Sequence, residues 1–130
     1  MATIDNTETF NNMPLVQKVQ TYETSSVSAS DVVQMVAVKS GFRVTRVTVT
    51  NDALGDGSTA ITVDVGDGSD ANRFVSAQDV SSAGSTSFTL TADSEGYLYT
   101  SDDTIDITFN TSAPGAGDIS LLVEGYFDYA

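Results

Sequence analysis

Cysteine, histidine and tryptophan are all missing from the chain. Without cysteine there is no disulfide framework, no thiol nucleophile and no thiolate metal site. Without histidine the commonest general base and metal ligand is missing, which excludes Ser-His-Asp triads and histidine-ligated zinc hydrolases. Basic residues are also scarce: five against eighteen acids, for a formal charge of −13. Lys18, Lys39, Arg43, Arg46 and Arg73 share the first 73 positions with nine acids, and residues 74–130 hold nine more acids and no base. A field of that sign repels phosphate backbones, so direct contact with DNA or RNA is excluded as a function. No run of about 18 apolar residues occurs, and the first ten residues lack a basic and then apolar signal pattern. The expectation is therefore synthesis in a cytoplasm and no membrane insertion.

What the chain does contain is period-two alternation broken by Gly, Asp and Ser clusters, which reads as half-buried antiparallel strands joined by tight turns. Ile61-Thr-Val-Asp-Val65 sets three aliphatic residues against Thr62 and Asp64. Thr104 to Phe109 sets Ile105, Ile107 and Phe109 against Thr104, Asp106 and Thr108. Further strands are expected at Val32–Val38, Phe42–Asn51, Asn72–Ala77, Ser85–Leu90, Gly96–Thr100 and Asp118–Tyr129. In the second of these the apolar phase slips between Val44 and Val47, so a β-bulge is expected near Thr45-Arg46. The last strand carries apolar residues on both faces, as a central strand does. The fold class is all-β: a single-domain β-sandwich over residues 32–130, expected to be a jelly roll, with an immunoglobulin-like sandwich as the alternative. Residues 1–31 are rich in Thr, Ser, Asn and Gln and read as an extended N-terminal arm. That arm is either a disordered tail or a segment that adds a strand to a neighbouring subunit through Met13, Leu15, Val16 and Val19.

Three constellations bear on function. Asp64, Asp67 and Asp70 supply clustered hard oxygens of the kind calcium takes, although not at EF-hand spacing; the competing reading is a hairpin turn whose Asp side chains cap backbone N–H groups. Asp102-Asp103 with Asp106 resembles a glycosidase carboxylate pair, but adjacent strand residues point to opposite faces and no catalytic residue is expected. Tyr97, Tyr99 and Tyr126 suit a core or subunit contact, or a sugar-stacking edge, because the ring is apolar and the hydroxyl wet. Arg43 and Arg46 are the cations expected to approach a neighbour's carboxylates, while Asp79, Asp93, Glu95, Asp102 and Asp103 are expected to face solvent.

The run Val63-Asp-Val-Gly-Asp-Gly-Ser-Asp-Ala-Asn-Arg-Phe-Val75, followed by Gly96-Tyr-Leu-Tyr-Thr100 and Asp102-Asp-Thr-Ile-Asp-Ile-Thr-Phe109, resembles small head decoration or cement proteins of tailed bacteriophages. The resemblance covers about residues 32–127. It implies a virion protein, made in the bacterial host cytoplasm, that sits on the outer capsid lattice and locks capsomers together. It implies no enzyme activity, no cofactor and no catalytic residue. The expected partners are the major capsid protein and further copies of the chain, as a trimer in preference to a dimer, with no nucleic acid and no membrane. The alternative is a receptor- or carbohydrate-binding module of a phage fibre or tail.

Overall fold

Strand-forming alternation along the chain folds into two antiparallel sheets packed face to face. The computed structural model describes residues 15–55, 57, 59–90, 96–110 and 112–128. In chain order the strands are β1 Leu15–Glu23, β2 Val32–Val38, β3 Phe42–Asn51, β4 Thr62–Gly66, β5 Val75–Asp79, β6 Gly84–Thr89, β7 Tyr97–Leu98, β8 Asp103–Phe109 and β9 Asp118–Phe127. The first sheet runs β1-β9-β3-β6, with β7 pairing the start of β3; the second runs β2-β8-β4-β5. Inward-facing Val44, Val47, Val49, Ile119 and Leu121 of the first sheet meet Val63, Val65, Ile105, Ile107 and Phe109 of the second, and all ten are 0–1% exposed. Each fully buried aliphatic side chain contributes about 1.5–3 kcal/mol of transfer free energy, so these rows hold the layers together.

The eight strands expected from sequence are present, β2 and β3 with the expected ends and the others with ends moved by up to three residues. The slip in β3 is a register shift between Val44 and Arg46 against β9, as the phase change requires. β9 lies between β1 and β3, which accounts for apolar residues on both its faces. An immunoglobulin-like sandwich would keep its first two strands in one sheet. Here β1 and β2 lie in different sheets, which rules that alternative out.

The expected boundary at residue 32 is corrected. Leu15–Glu23 is the edge strand of the first sheet, in antiparallel register with β9 of its own chain from Leu15↔Tyr126 to Glu23↔Asp118. Gln17 Nε2 donates to Glu124 (2.9 Å), and the Thr21 and Ser120 hydroxyls lie 2.7 Å apart. The crossing to β2 is anchored by Thr24, fully buried, whose hydroxyl donates to Gly115 O at 2.6 Å. An edge strand with almost nothing to bury leaves little apolar pattern, so it reads like an arm. Met13 lies outside the described residues.

β5 carries a second bulge: its register with β4 shifts between Val63 and Val65, and Ala77 sits there at φ 56°. That left-handed conformation costs an L-residue about 1–2 kcal/mol, and bulges of this kind favour glycine. Ala77→Gly is therefore expected to raise stability by about 0.5–1 kcal/mol, net of the entropy glycine adds to the unfolded chain, as read from the urea midpoint.

Candidate functional site

The turn after β4 is built around one carboxylate. Asp67 Oδ1 accepts from the backbone N–H groups of Ser69 and Asp70 (both 3.0 Å) and from Arg73 Nη2 (3.2 Å). Its Oδ2 accepts from Arg73 Nε (2.6 Å) and the Tyr99 hydroxyl (2.8 Å). The Asp67 side chain is 1% exposed and that of Arg73 20%. The guanidinium also lies 4.0 Å from the Tyr97 ring centroid, a cation–π contact. Tyr97 and Tyr99 meet edge to face at 4.9 Å, and Phe74 closes the group. Burial alone would raise the Asp67 pKa; the hydrogen bonds from Arg73, Tyr99 and Asp70 outweigh it and hold the carboxyl below the usual range. Burial and the same hydrogen bond push the Tyr99 hydroxyl upward. The cluster therefore pins the 66–74 loop from the second sheet onto β7 of the first. Its partners are all within the chain, and it presents no reactive group.

The calcium reading of Asp64, Asp67 and Asp70 is corrected by this geometry. Asp64 Oδ1 accepts from Ala77 N and Asn110 Nδ2, and Asp70 Oδ1 from Asn72 N. Each acid serves a different local bond, and no group of metal-ligating side chains forms among the described residues. Asp102 accepts from Ser40 N and pairs with Lys39 at 3.6 Å, while Asp103 Oδ1 accepts from its neighbour Thr104 N. Asp106 is 7% exposed beneath the 66–73 loop; burial raises its pKa, the Thr104 hydroxyl partly offsets this, and the charges of Asp103 and Asp67 add to the rise.

The expected interface residues separate. Tyr99 is 3% exposed and belongs to the core cluster in place of the expected interface, and Tyr97 beside it is half-buried. Arg43 Nε donates to Asp128 Oδ2 (2.9 Å), and Arg46 Nε to Glu124 Oε1 (2.7 Å). Both guanidiniums therefore already have carboxylate partners in their own chain. The Arg46 bond also holds the Glu124 carboxyl below its usual range. Tyr126 is half-buried, in register with Leu15 and Arg43. Val16 packs on the core, and Val19 is 56% exposed on β1. Asp79 and Asp102 face solvent, Asp103 is half-buried, and Asp93 and Glu95 lie outside the described residues.

The two outer faces differ in chemistry. On the first sheet, hydroxyl pairs Thr21–Ser120, Thr48–Ser87 and Thr50–Ser85, at 2.7 to 2.9 Å, line up across the strands, and Arg46 neutralises Glu124. The second sheet turns Asp64 and exposed Asp79 outward, in register with Thr108 and Thr62, while Asp106 is buried beside Gly66. One face is hydroxylated, its charges confined to the Arg46–Glu124 pair and to Glu23 and Asp118 at one end; the other is acidic.

Sequence reasoning missed the lateral side where β1 and β2 form the edges of their sheets. The exposed large hydrophobic residues of the described chain, Val19, Tyr22 and Val32, all lie there. A slot of about 90 Å³, lined by Val16, Val36, Val38, Phe42 and Phe127 and flanked by Lys18 and Lys39, opens on the same side. The alternation Gln17/Val19/Thr21 against Val16/Lys18/Gln20 was the available signal, diluted by polar residues on both faces.

These features define an antiparallel β-sandwich whose distinctive chemistry lies in its surfaces. No protein-family model matches the chain, nor does any curated protein. Among solved structures, it is similar to a chain of the cyanophage Pam1 capsid asymmetric unit, with TM-score 0.71, 25% identity, and 88% of this chain and 86% of that one covered. A chain of the Ralstonia phage GP4 capsid matches with TM-score 0.69 and 15% identity over 89% and 85%. A chain of the acid-stable capsid of Helicobacter pylori bacteriophage KHP30 matches with TM-score 0.63 and 18% identity over 88% and 93%. The resemblance to capsid-associated phage proteins thus extends through the whole sandwich.

Proposed function

We propose that this protein is a structural component of a phage virion, a decoration protein that binds the outer lattice of the major capsid protein and stabilises the head. The observation that carries the reading is the reciprocal coverage of the Pam1 match: 88% of this chain aligns with 86% of a chain in that capsid. The counterpart is thus a small whole chain of nearly this length and not a domain within a larger one. The strand order β1-β9-β3-β6 against β2-β8-β4-β5, with the chain changing sheet at almost every connection, supports the jelly-roll assignment. The hydroxyl face of the first sheet is suited to lie on the lattice, because between the Arg46–Glu124 pair and the Glu23 and Asp118 end it presents paired hydroxyls that are cheap to desolvate. The acidic second sheet then faces outward and keeps particles apart. Copies of the chain associate with one another on that lattice. The carbohydrate-binding alternative is weakened because Tyr99 is turned into the core.

The test is a comparison of complete particles with particles lacking the protein. Depleted heads should assemble, then lose DNA at lower temperature or under milder osmotic shock, and adding back purified protein should restore resistance. Depleted heads as robust as complete ones would refute the stabilising role.

A further inference from the structure

The β1–β2 side of the sandwich combines four features: two sheet edges with no strand partner among the described residues, the exposed apolar residues Val19, Tyr22 and Val32, the apolar slot, and Lys18, which forms no ion pair among those residues. A long uncovered edge strand is a template for another strand. In a chain of charge −13, copies can meet only where like charges stay apart, and β1 carries one acid and one base, Glu23 and Lys18.

From these features we propose that β1 is a self-recognition edge: it pairs antiparallel with β1 of a second copy across a two-fold axis through Val19, making one continuous sheet of the two. Directly opposed residues in an antiparallel pair share a face, so a two-fold register must set odd positions against odd and even against even. With the axis at Val19, the midpoint of Leu15–Glu23, the whole strand is used. Leu15 then faces the partner's Glu23, Val16 the partner's Tyr22, Gln17 the partner's Thr21, and Lys18 the partner's Gln20. No like charges are opposed. An axis at Lys18 would oppose two ammonium groups, and an axis at Gln20 or Thr21 would set Tyr22 against Lys18 or Gln20.

The chosen register also supplies the slot with an occupant. Val16 lines the slot, and the partner's Tyr22 stands directly across from Val16 on the same face. The aromatic ring enters between Val36, Val38 and Phe42, and the hydroxyl stays at the lysine-flanked rim. An aromatic anchor in an apolar pocket is the usual dominant contributor to an interface. The contact is two-fold, in place of the trimer expected from the sequence. It deepens the proposal that copies associate on the virion, and it is tested on free protein so that capsid binding plays no part in the result.

Because the chain has no cysteine, a single engineered thiol reports one contact. Val19→Cys places two thiols on the axis, where opposed Cα atoms about 4.5–5.5 Å apart fall within disulfide range. Mild oxidation should convert it to a covalent dimer, while Ser87→Cys on the opposite edge strand should remain unlinked. Val19 is already 56% exposed, so the substitution leaves the core intact. By sedimentation, Tyr22→Ser should weaken the dimer of the unmodified chain by roughly tenfold or more. The proposal fails if Val19→Cys does not cross-link, whether because Ser87→Cys does so instead or because the parent chain sediments as a monomer, leaving the edge for a strand of another protein. It also fails if Tyr22→Ser dimerises as tightly as the parent.

Discussion

Replacing Asp67 with alanine is expected to lower the unfolding free energy by about 3 kcal/mol, a drop of roughly 10 °C in Tm for a domain of this size. The size follows from what is left behind: a guanidinium 20% exposed, a buried phenol and two turn N–H groups all lose their common acceptor at once. Breaking a buried pair typically costs about 3–5 kcal/mol, and the residual access of Arg73 to water puts this case at the lower end. Arg46→Ala, whose side chain is 47% exposed, should cost under about 1 kcal/mol by the same measurement. The pH dependence has a defined sign. A carboxyl held below its unfolded value of 3.8 adds stability above that pH and loses it as the pH falls through the depressed folded value, so the acid limb of stability should flatten in the Asp67 variant. Asp106 acts oppositely: its raised pKa favours the fold as it protonates, and that contribution is lost as the pH rises through the folded value. Urea midpoints across pH 2–7 separate the two.

Gly125→Ala is expected to cost about 3 kcal/mol or more, or to abolish soluble expression. Gly125 sits in β9 opposite Val44, at the bulge of β3. A methyl group there would run into the Arg43 carbonyl oxygen and come within 2.9 Å of Phe42 Cζ. The first obstacle is backbone, which cannot rotate away as a side chain can. Gly68→Ala is the control: a Cβ there meets nothing within 4 Å, and its effect should stay within about 0.5 kcal/mol. Equal effects at the two positions would show that the bulge tolerates a displaced strand.

The strands with one well-buried face were legible because such burial leaves an apolar pattern, and β2 and β3 fall on the residues expected. Even the β3 bulge left its mark as a phase slip between Val44 and Val47. β1 was not legible, since its stability comes from pairing with residues a hundred positions away and almost none from burial. The functional surfaces were harder still. Arg43 and Arg46 looked like available cations because sequence gives no sign that Asp128 and Glu124 stand beside them. The two tyrosines looked like edge aromatics because the depth of Tyr99 depends on the Asp67 turn folding over it.

The order in which the first sheet can be completed follows from its layout. Its central strand, β9, is the last described strand of the chain, and β1 and β3 reach each other only through it. While a ribosome still holds residues 118–127, the first strand has nothing to pair with and β3 lacks its main neighbour. The sandwich therefore closes only once residues 118–127 are free, in a step that brings distant parts of the chain together, and β-proteins with such long-range pairing fold in about milliseconds to seconds. In that interval β1 is exposed on both edges, so chaperone capture of nascent chains should be concentrated on that strand.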